Sequence, residues 1–238
     1  MTALRQSKFM KIARIDELIR FDKKHAGKSV LIGTDEVGRG PVAGPVMACA
    51  VHFRKFNKEL KEALKYLDDS KKFGTNHRLR SELAEEIRKY SVFSVQQCSV
   101  EEIEELNILQ ASLFAMKKAC VDVASQLAAG DKQADNVKIL VDGKFIIPNA
   151  ELPVSSLEQT GVIKGDSLSA SIAAASILAK VERDELMINL ANEFPQYDWH
   201  KNKGYPTPAH LEAIRKHGIT EWHRQSFLTK CLHRERTV

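Results

Sequence analysis

Asp35 and Glu36 stand side by side directly after the apolar run Val30-Leu31-Ile32. Such a run reads as a buried strand. Ionised acids at its end are costly unless a cation or a metal accompanies them. Hard divalent cations choose oxygen ligands, typically one or two carboxylates together with substrate phosphates. Glycines follow at once, Gly38, Gly40 and Gly44, punctuated by Pro41 and Pro45. They allow backbone N–H groups to approach a ligand closely. Arg39, between two of them, is placed to reach a phosphate or a sugar. A second apolar run over residues 46–51 leads back, so the stretch predicts strand, turn, strand. A surface hairpin with a solvated acidic pair would carry the same letters.

The pattern recurs further along. Residues 137–141, VKILV, form a short β-branched run that ends in Asp142-Gly143. It predicts a buried, parallel strand. Ligands of open α/β sheets sit at the carboxyl ends of strands, so two neighbouring strand ends would join Asp35, Glu36 and Asp142. A fourth acid comes from the segment KGDSLSASIAAASILAKVERD, which holds Asp166 and Asp184. A continuous helix would separate these two by roughly 27 Å, so they cannot share one metal cluster. Asp184 lies four residues after Lys180, where an ion pair is the ordinary explanation. Asp166 sits at the helix entrance beside Lys164-Gly165 and is the better ligand.

Taken whole, DEVGRGPVAGP resembles the signature of ribonuclease HII, the bacterial type 2 ribonuclease H. The resemblance continues in the family's order through DSKKF, EEIEELNILQAS, LVDGK, KGDSLSASIAAASILAKVERD, HKNKGYPTPAH and HRQSF. It covers most of the chain from about Ser29 onward. It implies an α/β fold, a ribonuclease H-like mixed β-sheet flanked by helices with a small helical C-terminal part. It also implies metal-dependent hydrolysis of the RNA strand of RNA–DNA hybrids, and nicking of duplex DNA 5′ to single ribonucleotides. Asp35, Glu36, Asp142 and Asp166 would hold two Mn2+ or Mg2+ ions about 4 Å apart. Gly38, Arg39 and Gly40, with Tyr205 of the KGY motif, would read the junction between a ribonucleotide and the next deoxynucleotide. Lys71 of DSKKF and Lys164 are the basic residues expected to help hold substrate. Ribonuclease HIII, the confusable relative, has a further N-terminal domain and lacks the GRG loop.

Three regions are expected: a basic N-terminal extension over 1–28, a catalytic domain over 29–194, and a helical region over 195–238 lining a substrate cleft. In the first, Ile12, Ile15, Leu18 and Ile19 predict an amphipathic helix, either a nucleic-acid arm or an element packed on the domain. Residues 58–66 are polar and Lys-rich. Thr75 is a candidate N-cap for a helix over about 76–89, with Leu79, Leu83 and Ile87 as its apolar stripe. Residues 91–97 alternate as a strand. Ser99 and Glu102 form a capping box ahead of a helical region that Gly130 closes. Its core stripe is Leu109, Leu113, Met116, Cys120, Val123 and Leu127. An extended stretch over 155–164 leads to a helix over about 169–192. In WHKNKGY, aromatics interleave with bases, which suits a nucleic-acid groove or a solvated basic loop. Thr207-Pro208 starts a last helix that Gly218 ends.

The formal charge of +5 over 238 residues fits a nucleic-acid partner without requiring one. The four cysteines, Cys49, Cys98, Cys120 and Cys231, show no metal-ligand spacing, which suggests reduced thiols in a cytoplasmic protein. No run is long enough to span a membrane, and no signal peptide is visible. A monomer is expected. A phosphate-cradling nucleotide binder would need GxxxxGK[ST] or GxGxxG after the strand, and neither is present. A binding protein with structural acids would be favoured by loss of one of the four carboxylates, and all four are there.

Overall fold

The structure, a computed structural model, describes residues 3–67, 77–130, 136–150, 152 and 154–229. Lys71, Thr75 and Cys231 lie outside the described residues. Five strands form one mixed sheet in the order β3-β2-β1-β4-β5. They are β1 (Val30–Val37), β2 (Val46–Phe53), β3 (Ser91–Cys98), β4 (Asn136–Asp142) and β5 (Ser156–Val162). The hairpin β1–β2 and its neighbour β3 are antiparallel, whereas β4 lies parallel to both β1 and β5. β1 is therefore central, and its register against β4 pairs Thr34 with Val141. One step further along both strands come Asp35 and Asp142.

Helices cover both faces. Among the described residues are the helices α1 (Ala3–Ala26), α2 (Lys58–Ala63), α3 (His77–Tyr90), α4 (Val100–Leu106), α5 (Ile108–Gly130), α6 (Ala170–Glu193), α7 (Trp199–Asn202) and α8 (Pro208–His217). On one face Met116, Cys120 and Val123 of α5 pack against Ile32, Ala48 and Ile139. On the other, α6 is joined by α1, α2 and α3 around Cys49, Val51 and Ile177. The strand alternation sends Ile32 toward α5. It sends Leu31, Gly33 and Asp35 toward α6.

The expected strands and the long helices are present, with instructive differences. The helical region after the Ser99–Glu102 capping box is two helices. Asn107 breaks it with φ 67°, and its side-chain oxygen accepts from the N–H groups of Leu109 and Gln110. The stretch 58–66 starts with a helix, because Asn57 caps it by accepting from Leu60 N–H at 2.9 Å. Leu79 is 44% exposed, while Leu83 and Ile87 are buried. Trp199 is wholly buried, so it is a core residue and lines no nucleic-acid groove. It stacks on Tyr197 with ring centroids 5.1 Å apart, in a C-terminal cluster with Leu190, Leu211 and Ile214.

The N-terminal helix packs on the helical layer of the sheet through Ile15, Leu18 and Ile19. Two polar contacts reach further. Arg14 donates to the carbonyl of Ser167 at 2.6 Å. Buried Asp22 accepts from both the N–H and the hydroxyl of Ser171, at 2.9 and 2.7 Å. A carboxylate at the first turn of α6 satisfies an N–H that has no helical partner and suits the helix dipole. Asp22→Ala removes these bonds and leaves a buried donor unpaired, at a cost of about 1–3 kcal/mol. Thermal unfolding is expected to show a midpoint about 2–12 °C lower.

Candidate active site

Gly33 lets α6 lie against β1. A Cβ on Gly33 would come within 2.5 Å of the backbone of Ser171 and Ile172. Two residues further on the same face, the Asp35 carboxylate bonds the hydroxyl of Ser176 of α6. It also accepts from the N–H of Glu36 at 2.8 Å. Asp35 is 7% exposed. Burial, then repulsion from Glu36 and from Asp142, holds its carboxyl well above the usual carboxylate range, against the pull of those two hydrogen bonds. Glu36 is raised as well, first by burial and also by Asp142, while Arg39 opposes the shift. These shifts place Asp35, Glu36 and Asp142 in one electrostatic neighbourhood.

Asp166 lies on the 3-10 turn Gly165–Ser167. Gly165 N–H donates to Asp142 at 2.6 Å, which ties the turn to the end of β4. Asp166 accepts from the Ser167 hydroxyl at 3.3 Å. Lys164, exposed and in the left-handed region at φ 57°, opens the turn. Asp184, the rejected alternative, is buried in α6. It pairs with Lys180 at 2.5 Å, and Arg80 lies 3.8 Å away.

Among the described residues, no three His, Cys, Asp or Glu side chains are already closed around a metal-sized position. The donor set nevertheless fits a hard cation. It is all oxygen, it is partly buried, and its members repel one another, which a divalent ion would reverse. Arg39 now pairs with Glu36 at 3.2 Å, its side chain 46% exposed.

The glycine loop is built by two arginines that the sequence reading did not single out. Arg183 of α6, fully buried, donates to the carbonyls of Pro45, Ala43 and Lys203 at 3.0–3.1 Å. Arg224 donates to Gly38 at 2.7 Å and to Gly44 at 2.6–2.8 Å. Burial disfavours both charges, and loop carbonyls compensate. At Gly38, φ is +92° and a Cβ would lie 2.3 Å from Arg183 Nε, so no other residue fits. A trans peptide points its C=O and the following N–H in opposite directions. With the Gly38 carbonyl turned to Arg224, the Arg39 N–H faces away from that guanidinium. The signals for these arginines were the VERD and HRQ segments, but an arginine in a polar stretch ordinarily reads as solvated.

The loop also meets the KGY segment. Val42 and Ala43 donate to the Gly204 carbonyl at 2.8 and 3.2 Å. A Cβ built on Gly40 would touch Tyr205 Cε1 at 3.4 Å. Tyr205 is 45% exposed. The structure thus joins Gly38, Arg39, Gly40 and Tyr205 at one edge, with Asp35 and Glu36 at the strand end that leads into them.

A central β1 with parallel β4, acids at both carboxyl ends and helices on either face make up a ribonuclease H-like fold. A chain of the PCNA:RNase HII complex from Archaeoglobus fulgidus shares it with a TM-score of 0.63 and 27% identity, over 82% of this chain and 94% of that one. The family model for ribonuclease HII matches residues 32–230. Ribonuclease HII of the Wolbachia of Brugia malayi is 43% identical over 198 residues, 83% of this chain and 87% of the relative. That of Rickettsia felis is 42% identical over 215 residues, 90% and 98% of the two chains. The chain belongs to the ribonuclease HII family and is a hydrolase of the ribonuclease H type. No helix among the described residues is long and apolar enough to cross a membrane.

Proposed function

We propose that the protein is an endoribonuclease that hydrolyses the RNA strand of RNA–DNA hybrids and nicks duplex DNA on the 5′ side of a single embedded ribonucleotide. The products are a 3′-hydroxyl and a 5′-phosphate. The observation that carries this reading is the gathering of Asp35, Glu36 and Asp142 at adjacent strand ends beside a glycine loop bonded to the Gly204 carbonyl, where a Cβ on Gly40 would reach the Tyr205 ring. Acids that repel one another suit divalent cations, and a glycine loop against a partly exposed ring suits a sugar.

Asp35, Glu36, Asp142 and Asp166 would hold Mn2+ or Mg2+. When bound, such ions supply an activated water and stabilise charge on the departing 3′ oxygen. The chain's own residues aim the ligands. Ser176 and the Glu36 N–H orient Asp35, and Gly165 N–H orients Asp142. Backbone N–H groups of the Gly38–Gly40 loop would hydrogen-bond the ribose 2′-hydroxyl, the group that distinguishes RNA from DNA. Arg39 and Lys164 are exposed cations that would meet phosphates, and Lys71 is proposed for the same task. Removal of misincorporated ribonucleotides from DNA is the role this chemistry serves.

Duplex DNA carrying one ribonucleotide, incubated with Mn2+ or Mg2+, is expected to be nicked once, directly 5′ of it. A nick elsewhere, or a 3′-phosphate product, overturns the reading. Tyr205→Ala is expected to lower kcat/KM on that substrate roughly tenfold to a hundredfold, the order of an aromatic stacking contact of about 1–3 kcal/mol. An unchanged rate removes Tyr205 from the site.

A further inference from the structure

A line of polar contacts crosses the apolar core of the C-terminal part and ends on the backbone of Tyr205. We infer that His210 is a positioning residue for Tyr205, fixed with its proton on Nδ1 by Trp199 and His223. The inference rests on the proposed role of Tyr205 at the sugar, and the test below separates the failure of one from that of the other.

The proton positions follow from donors that cannot change. At one end, Thr220 N–H donates to His223 Nδ1 at 2.9 Å. That nitrogen is therefore an acceptor, and in the neutral ring the proton sits on Nε2. His223 Nε2 faces His210 Nε2 at 3.3 Å. Trp199 Nε1–H, which can only donate, also points at His210 Nε2, at 3.0 Å. His210 Nε2 therefore accepts from both, and the proton of His210 is on Nδ1. Nδ1 lies 2.9 Å from the carbonyl oxygen of Tyr205 and donates to it. Both rings are buried, at 0% and 2% exposure. Burial lowers the pKa of each, to about 4 for His223, so both are neutral at pH 7 as the pattern requires.

The chain ends where the backbone most needs holding. Lys203 and Gly204 are consecutive residues with positive φ, 52° and 82°, and the first carries a side chain, a conformation that persists only when surroundings impose it. The Tyr205 carbonyl accepts from Thr207 N–H at 2.8 Å as well as from His210. This pair of bonds sets the peptide plane that carries the Tyr205 ring toward Gly40. His223 connects the same network to the glycine loop. It forms a bridge with Ala43, and the next residue, Arg224, donates its N–H to Val42. A shift of about 1 Å in a group that positions substrate is enough to cost a large factor in rate.

Two isosteric variants divide the ring's functions. In His210→Asn the amide NH2 lies near the Nδ1 position and can donate to Tyr205. In His210→Gln the amide reaches the Nε2 position, facing Trp199, and leaves the Tyr205 carbonyl without its bond. The readout is the ratio of kcat/KM on a single-ribonucleotide duplex to kcat/KM on an RNA–DNA hybrid, with thermal midpoints measured alongside. His210→Gln is expected to lower the ratio roughly tenfold, the order of a lost positioning bond. His210→Asn should restore it to within about threefold of the parent although both variants lose thermal stability. Equal effects of the two on the ratio, or none, overturn the inference. If Tyr205→Ala itself leaves the ratio unchanged, the role of Tyr205 has failed and the inference with it. If Tyr205→Ala lowers the ratio and His210→Gln does not, the inference alone is overturned. Nitrogen-15 imidazole spectra at pH 7 should show the proton of His210 on Nδ1 and that of His223 on Nε2; the opposite pattern also overturns it.

Discussion

Asp35→Asn, or Asp142→Asn, is expected to lower cleavage at least about a hundredfold to a thousandfold, and to leave nucleic-acid binding in chelator unchanged or tighter. The lower bound follows from loss of outer-shell support alone, which costs about tenfold to a hundredfold in metal affinity or activity; a lost ligand costs more. The fold should survive both changes. Asn at 35 retains an oxygen for the Glu36 N–H and a polar group for Ser176, and Asn at 142 retains an oxygen for Gly165. The sign of the binding change comes from charge. Each acid repels phosphate when no cation is present, so its removal cannot weaken a metal-free complex electrostatically. Fluorescence anisotropy in EDTA measures this directly.

The same repulsion predicts opposite movements of stability. Without metal, Asp35→Asn relieves like charges in a partly buried group and should raise the thermal midpoint by about 2–4 °C, the equivalent of roughly 1 kcal/mol. Mn2+ should raise the midpoint of the parent by mass action, and that of the variant less. Cleavage that persists in either Asn variant, or a parent protein whose midpoint ignores Mn2+ and Mg2+, removes the metal assignment.

What could be read from the letters and what could not divides along a physical line. Local signals were legible: the Ser99–Glu102 capping box, the Thr207–Pro208 helix start, and the α5 stripe through Met116 and Cys120. So was the repeated design of an apolar strand ending in acid and glycine, because the costs of burial and backbone strain act within a few residues. The pairing of Asp184 with Lys180 followed from helix spacing. Non-local compensation was not legible. Arg183 finds two of its three acceptors about 140 residues away in sequence and Arg224 its glycine carbonyls about 180 away, so nothing near them marks them as buried. Trp199 looked the same whether it faced a groove or a core. Asn107 falls between the capping box and a stripe that starts only at Leu109, so the stripe itself did not mark the break, although asparagine is among the types that tolerate positive φ. The Asn57 cap was present in the sequence and was outweighed by the polar run after it.

The largest expected loss of stability comes from the smallest addition, Gly33→Ala. The new methyl would lie 2.5 Å from Ile172 N, 2.5 Å from the Ser171 carbonyl carbon and 2.6 Å from Ser171 Cβ, where contacts between heavy atoms normally begin near 3.5 Å. Two of those three atoms are backbone, so no rotamer relieves the clash. Either β1 or α6 must move by about 1 Å. β1 is the central strand, held by β2 on one side and β4 on the other. α6 is held at its first turn by Asp22 through Ser171 and touches the whole helical layer. Overpacking of a close-packed core costs about 1–3 kcal/mol, and more where backbone must yield. A value near 3 kcal/mol corresponds to a midpoint lower by about 6–12 °C in a protein of this size. Activity should fall together with stability at temperatures where the variant is still folded, because the displacement that accommodates the methyl also draws Ser176 from Asp35, two residues along the same face. Circular dichroism melting and the cleavage rate at 20 °C test the two parts separately. A midpoint within about 2 °C of the parent would mean that the approach of α6 to β1 is looser than drawn. A large fall in midpoint with full activity would mean that Asp35 does not depend on α6 for its position.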